Sequence, residues 1–141
     1  MKKEEGIKNL FKNYLFFISM IPYLDQKIDI QEYKLAGVSS IRFDKQHGST
    51  NQEFINQKKL EMMDELELYT QFKLLCQTAT KVLRIMFDKL TPEEKKTVSD
   101  LYIFESKKYD EASKEKEMSQ SGLHKQVTKT FEEMIWVSMH L

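Results

Sequence analysis

Three short stretches in the last third of the chain decide the fold: LTPEEKK at residues 90–96, YDEA at 109–112 and MSQS at 118–121. Thr91 is a good helix N-cap, Pro92 is favoured at the first helical position, and the two glutamates that follow complement the helix dipole. Tyr109 opens a second amphipathic segment, and Ser119 is the predicted cap of a third. The order helix, helix, polar turn and helix is typical of a helix-turn-helix.

The apolar residues of these segments predict which faces are buried. The first helix buries Val98, Leu101 and Tyr102, and a polar break at 105–107 follows it. The second helix runs from Lys108 to about Glu117, with its small residues allowing a close approach to the next helix. The residues predicted to face inward from the second and third helices are Tyr109, Ala112, Met118, Leu123, Val127, Phe131, Met134 and Ile135, with Trp136 and Met139 extending the apolar face.

Upstream of these segments, residues 51–89 predict one long helix, with Thr50 or Asn51 as its cap. Its apolar residues recur at spacings of four and three, which approach the seam of a coiled coil. This seam predicts packing against the N-terminal helices, and a homodimer interface is the alternative use of the remaining apolar surface. The seam residues are Met62, Leu66, Tyr69, Phe72, Cys76, Ala79, Leu83, Met86 and Leu90.

The N-terminal region predicts two further helices. The first runs from Ile7 to Ile21 and is ended by Pro22, and the second covers about residues 25–36. Residues 37–51 are rich in turn-forming residues and predict a loop. Within that loop, Val38, Ile41 and Phe43 alternate with polar residues and predict a short extended piece.

Composition points to the same fold class. The chain has 141 residues, of which 40% are hydrophobic and 31% charged, with only four glycines and two prolines. Because an all-β fold needs many turns and these turn-forming residues are few, we predict an all-α protein. Its expected organisation is a helical core or dimerisation region at 1–89, containing the long central helix, and a helix-turn-helix region at 90–141.

The sequence also bears on location and on chemistry. The apolar run at residues 10–23 is interrupted by polar residues and is too short for a bilayer, so we expect no membrane association. The single cysteine, Cys76, fits a reducing cytoplasm and is predicted to pack in the core. His47, His124 and His140 lack metal-ligand spacing, and no phosphate-binding loop or nucleophile motif occurs. We therefore expect no metal, no cofactor and no enzymatic activity.

The last third of the chain resembles the C-terminal DNA-binding domain of bacterial sigma factors. Residues 90–95 match the family's Leu-Thr-Pro-Glu-Glu-Arg-like opening with Lys95 in place of Arg, and Tyr102 matches its first aromatic residue. Residues 109–113 match its Tyr-Glu-Glu-Ile-Ala segment, residues 118–119 its turn, and Leu123 the valine of its recognition helix. Glu117 replaces the glycine that the family has in the turn, and the final helix lacks arginine.

A helical N-terminal half followed by a sigma-like tail is similar to phage late-transcription regulators of the ArpU/RinA type. That resemblance implies a protein of a phage or prophage that works in the cytoplasm of the bacterial host. It implies activation of late genes through double-stranded DNA and contact with host RNA polymerase.

If the final helix enters the major groove, its outward residues would meet the bases and the phosphates. Glutamine can pair with adenine and lysine with guanine or phosphate. Lys107 and Lys108 could hold the DNA backbone from the preceding helix. The residues predicted to contact DNA from the final helix are Gln120, Ser121, His124, Lys125, Thr128 and Lys129.

The charge of the chain keeps other interpretations open. The net charge is zero, and from Leu90 onward eight lysines face ten acidic residues. The predicted contact residues could therefore be no more than the solvated face of a terminal helix. The alternatives are a helical protein-interaction module that binds polymerase or another protein without touching DNA, and a small phage packaging or assembly protein.

Overall fold

The computed structural model describes residues 3–44 and 49–140, and every regular element in these ranges is a helix, as predicted. None of the described helices is long and apolar enough to cross a membrane. The elements are α1 (Lys3–Lys12), α2 (Tyr14–Asp44), α3 (Ser49–Asp88), α4 (Pro92–Val98), a π-helical segment (Ser99–Ile103), α5 (Tyr109–Glu115) and α6 (Gln120–Met139).

The first helical break lies at Asn13 and not at Pro22, so that prediction was wrong. The Asn13 side-chain amide donates to the carbonyl of Asn9 at 2.8 Å, and this local bond competes with the regular helical pattern. Pro22 lies inside α2. Proline removes one helical hydrogen bond, but packing of the residues beyond it, such as the buried Leu24, keeps the helix going.

The predicted loop at 37–51 is also wrong over the part that the structure describes. Residues 37–44 continue α2, so the predicted helix at 25–36 is part of one long helix and the extended piece is absent. Residues 49–51 already belong to α3, so neither Thr50 nor Asn51 is its cap. A growing helix adds one hydrogen bond per residue fixed, and this cooperativity outweighs weak turn preferences. Residues 45–48 lie outside the described residues.

The chain divides into two compact units, of which the first comprises Met1–Ile18 with Thr78–Leu141 and the second Ser19–Gln77. This division differs from the predicted one at residues 89 and 90. The reason is that α1 and the last turns of α3 share a core with the helices that follow. The buried members of that core are Phe11, Leu83, Met86, Leu90, Val98, Leu101, Tyr102, Ala112, Leu123, Val127, Phe131 and Met134.

Aromatic rings join the helices of the first unit. Phe131 of α6 lies 5.2 Å from Tyr102, edge to face, and 6.0 Å from Phe11 of α1. Such geometries add to the free energy of burial beyond the apolar area alone. Of the predicted inward residues of α6, Leu123, Val127, Phe131 and Met134 are buried and Ile135 is half-buried. Trp136 and Met139 remain exposed. Trp136 instead stacks on His140, with ring centroids 4.0 Å apart.

The opening of α4 has the predicted cap. The Thr91 hydroxyl accepts from the backbone N–H of Glu94, the Glu94 carboxylate accepts from the backbone N–H of Thr91, and Pro92 begins the helix. This reciprocal pair is a capping box. After Val98 the helix widens, and the N–H of Phe104 donates to the carbonyl of Ser99, a bond that spans five residues.

The second unit is a pair of antiparallel helices formed by parts of α2 and α3. The Gln31 amide donates to the carbonyl of Met62 at 3.1 Å, and Lys73 forms an ion pair with Asp25. As α2 advances along the chain its partners on α3 come earlier, so the helices run in opposite directions. Cys76 is fully buried, as predicted, and burial raises the pKa of its thiol, which keeps it protonated.

Candidate nucleic-acid interface

The turn between α5 and α6 is held by backbone hydrogen bonds and one left-handed residue. The N–H of Met118 donates to the carbonyl of Ser113 at 3.0 Å, and that of Glu117 to the carbonyl of Lys114 at 3.1 Å. Glu117 has φ of 56°, the conformation in which glycine is least strained. Glu117 therefore has the backbone geometry that suits glycine.

The start of α6 is fixed by Ser119. Its hydroxyl accepts from the backbone N–H of Gly122 at 3.0 Å, which confirms the predicted cap. A Cβ on Gly122 would come within 3.0 Å of that same hydroxyl oxygen. The absence of a side chain at Gly122 thus leaves room for the cap.

Small residues of α5 allow close packing on α6, as predicted. Ala112 and Ser113 are buried, and so are Leu123 and Val127 on the facing side of α6. The Ser113 hydroxyl donates to the carbonyl of Asp110 at 2.9 Å, so its burial leaves no polar atom unsatisfied. This packing fixes which face of α6 stays outside.

The outer face of the first half of α6 carries six of the eight residues predicted to contact DNA. Thr128 is half-buried and the other five are exposed: Gln120, Ser121, His124, Lys125 and Lys129. Residues 120–131 contain two lysines and no acidic residue. None of the acidic side chains that the structure describes forms an ion pair with either lysine.

His124 is held against α5. Its ring stacks on Tyr109 with centroids 3.8 Å apart and planes 11° from parallel. The Tyr109 hydroxyl is hydrogen-bonded to that of Tyr102, which lies in the core. Burial and this bond raise the pKa of the Tyr102 phenol. A stack anchored in this way orders one exposed side chain of α6.

The two predicted contacts on the preceding loop behave differently from each other. Lys107 is half-buried, forms an ion pair with Glu115 and lies 3.5 Å from a carboxylate oxygen of Asp100. The hydrogen bond to the Glu115 carboxylate is the main cause that raises the pKa of Lys107. Lys108 is exposed at the N-cap position of α5. The charge of Lys107 is therefore largely neutralised within the protein, whereas Lys108 lies open to solvent.

A groove between α4 and α5 contains further ion pairs that the sequence did not reveal. Lys96 lies 2.8 Å from Glu115, and Lys116 lies 3.1 Å from Glu93. Lys107 and then Lys96 lower the pKa of Glu115 to about 2. The Lys96 and Lys116 pairs join residues 19 and 23 positions apart, separations at which no local spacing rule applies.

The first unit also has an apolar cavity of about 180 Å³ that sequence reasoning missed. It is lined by residues of α1, the start of α2, the end of α3 and both ends of the π-helical segment, together with the exposed Phe104. The other lining residues are Phe11, Tyr14, Leu15, Leu83, Arg84, Phe87, Ser99 and Ile103.

The side chains that the structure describes include no group of His, Cys, Asp and Glu that could hold a metal ion.

Comparison with protein-family models, with curated proteins and with solved structures gives no match for this chain.

Proposed function

We propose that the chain is a transcriptional regulator that binds double-stranded DNA through α6 in the major groove. The observation that carries this proposal is the acid-free, exposed face of the first half of α6. A helix that reads bases needs hydrogen-bonding side chains near its N-terminus and positive charge towards the phosphates. Gln120, Ser121 and His124 supply the first, and Lys125 and Lys129 the second.

The surrounding charge limits the expected affinity. Three lysines of the neighbouring groove are paired with carboxylates, so they would contribute little to phosphate binding. Electrostatic attraction to phosphates supplies most non-specific affinity for DNA. We therefore propose weak binding to DNA by the chain alone, with host RNA polymerase as a second contact that adds affinity. The resemblance to phage regulators supports the further proposal that this activity belongs to a phage or prophage.

Selection from a pool of random duplexes, run with and without purified bacterial RNA polymerase, tests the proposal. A motif enriched by the chain alone would identify a DNA reader, and enrichment only with polymerase would identify a co-activator. Absence of enrichment in both arms would contradict the proposal.

A charge-reversed variant then locates the interface. We expect Lys125→Glu with Lys129→Glu to abolish detectable binding to the selected duplex in fluorescence anisotropy, because two attractive contacts become repulsive. Lys81→Glu with Lys89→Glu is the control, since both residues are exposed on or just after α3 and the change in net charge is the same. Equal losses in the two variants would argue against α6 as the contact.

A protein-interaction module remains the second candidate. The mixed-charge groove and the exposed Phe104 beside the apolar cavity favour it, because both suit a protein surface better than a phosphate backbone. Co-sedimentation with polymerase without enrichment of any duplex would support this candidate over DNA binding.

A further inference from the structure

The second unit leaves a row of apolar side chains exposed along one side of its helical pair. On α2 these are Tyr23 and Ile30, and on α3 they are Leu68, Phe72 and Leu75, each between 40% and 69% exposed. Large apolar side chains that are exposed side by side on a soluble chain often mark an interaction surface. Lys27 lies between Tyr23 and Ile30 on α2, and its ammonium is 5.5 Å from the centroid of the Tyr23 ring. We call the five apolar residues the hairpin stripe.

On α2, the position of the stripe follows from the residues beside it. Tyr23 precedes the buried Leu24, and Ile30 precedes the buried Gln31. One step along a helix turns the side chain by about 100°, so both residues lie on the same edge of α2. Asp25 follows Leu24 and lies on the opposite edge, where it pairs with Lys73.

On α3, the same relation holds. Leu75 precedes the buried Cys76, and Leu68 precedes Tyr69, which is half-buried. Phe72 lies four residues after Leu68 and three before Leu75, so it belongs to the same edge. When two helices run antiparallel, the residue that precedes a contact residue points towards the same side of the pair on both helices. The five residues of the hairpin stripe therefore share one side of the pair.

The spacing of the stripe is that of helices that pack on further helices. Tyr23 and Ile30 are seven residues apart, as are Leu68 and Leu75, and Phe72 divides the second interval into four and three. This is the repeat of coiled-coil packing. A pair of helices with such a stripe on one side is half of a four-helix bundle.

The charged residues that extend the stripe are complementary. Lys34 lies four residues after Ile30, whereas Glu61 and Glu65 lie seven residues before Leu68 and Phe72. All three side chains are exposed. Because Gln31 is bonded to the carbonyl of Met62, the lysine and the two glutamates lie at the same end of the helical pair.

We propose that the hairpin stripe is the interface of a homodimer, with a twofold axis parallel to the helices. In this arrangement α2 of one copy covers α3 of the other at the same level, so Ile30 packs near Leu68 and Tyr23 near Phe72. Lys34 of each copy then meets Glu61 and Glu65 of the other. The twofold symmetry repeats every contact. Dimerisation in this form does not depend on DNA binding.

The area of the stripe sets the expected strength. From Glu61 to Leu75, α3 extends for about 20 Å, and two helices side by side are about 20 Å wide. The footprint on each copy is then about 400 Å², so two copies bury about 800 Å² in total, the size of a weak, transient interface. We expect a dissociation constant in the upper micromolar range.

Sedimentation equilibrium of the full chain in the absence of DNA tests the interface. We expect Leu75→Asp to raise the dissociation constant at least about 100-fold, because the lost burial counts twice in a symmetric dimer. Leu74→Asp is the matched control, since Leu74 is 56% exposed against 61% for Leu75 but points about 100° further from the stripe. A wild-type chain that stays monomeric at about 1 mM would overturn the proposal, as would equal effects of the two substitutions.

Charge exchange tests which copy supplies each partner. Lys34→Glu alone, and Glu61→Lys with Glu65→Lys alone, should each weaken the homodimer by repulsion. Mixed together, the two variants should form a heterodimer at least about tenfold tighter than either homodimer, because both contacts are then attractive. Circular dichroism checks that each variant is helical. Failure of the mixture to associate more tightly than its components would contradict the proposed pairing.

Discussion

The two units of this chain bury their apolar residues to different degrees, although both are built from helices. In the first unit, helices from both ends of the chain enclose a continuous core that includes Phe11 and Phe131. In the second unit, the described buried residues are Leu24, Gln31 and Cys76, and several leucines on the same helices are exposed. An amphipathic pattern therefore predicts which residues can be buried, and the number of surrounding helices decides how many are.

The physical reason lies in the number of layers. A helix that packs against one neighbour buries one stripe, whereas a helix in a bundle is covered from several directions. The first unit has α1, α4, α5 and α6 around one core, whereas the described residues of the second unit form two helix segments. A partner would therefore bury more additional apolar surface on the second unit than on the first.

Two leucines of α3 belong to different units and should differ strongly in what they contribute to stability. Leu83→Ala should lower the free energy of unfolding by about 2–5 kcal/mol, because the side chain is 1% exposed and its removal leaves a cavity. Leu74→Ala, at 56% exposure, should change it by less than about 0.5 kcal/mol. Urea denaturation followed by circular dichroism measures both.

Both substitutions shorten the same side chain within one helix, so differences in helix propensity cancel. Similar losses for the two variants would contradict the difference between the units and would mean that Leu74 is covered in solution. A small loss at Leu83 would mean that the core of the first unit repacks easily.

A smaller effect concerns Glu94, which links two helices of the first unit. Its carboxylate accepts from the backbone N–H of Thr91 at 3.0 Å and from the hydroxyl of the buried Thr130 on α6 at 3.0 Å. The Thr91 bond, followed by the Thr130 bond, lowers the pKa of Glu94, while burial opposes the shift. Glu94→Gln keeps the shape and removes the charge, and should cost about 1 kcal/mol at neutral pH.

The pH dependence of this cost follows from the direction of the shift. A carboxyl group with a lowered pKa in the folded state stabilises the fold above its unfolded pKa. That contribution is lost as the pH falls through the lower, folded pKa. The free energy of unfolding of wild type should therefore approach that of Glu94→Gln as the pH falls below the normal glutamate range. Parallel pH profiles for the two proteins would contradict the role of the charge.

The sequence predicted the elements that local chemistry determines. The capping box at Thr91, the cap at Ser119 and the inward residues of α6 were correct, because each depends on side chains a few positions apart. The break at Pro22 and the loop after Gly37 were wrong, because cooperativity and packing outweighed the local preferences in α2.

For the candidate site too, the sequence predicted features that depend on a single helix and missed contacts between elements. The exposure of Lys125 and Lys129 follows from the buried stripe of α6, which the sequence showed. The pairing of Lys107 with Glu115 and the stack of His124 on Tyr109 join different elements, and no spacing rule predicts them. The hairpin stripe combines residues of two helices, and its position follows from the buried residues beside it, Leu24, Gln31 and Cys76.

The turn between α5 and α6 of the first unit offers a milder test. Glu117→Gly should raise the free energy of unfolding by about 0.5 kcal/mol, since glycine removes left-handed strain but adds entropy to the unfolded chain. Glu111→Gly is the control, because Glu111 is exposed within α5 and glycine there should cost about 1 kcal/mol. If thermal unfolding shows that Glu117→Gly stabilises the protein and Glu111→Gly destabilises it, the turn carries backbone strain that its packing tolerates. A loss at both positions would mean that the Glu117 side chain contributes more than its backbone costs.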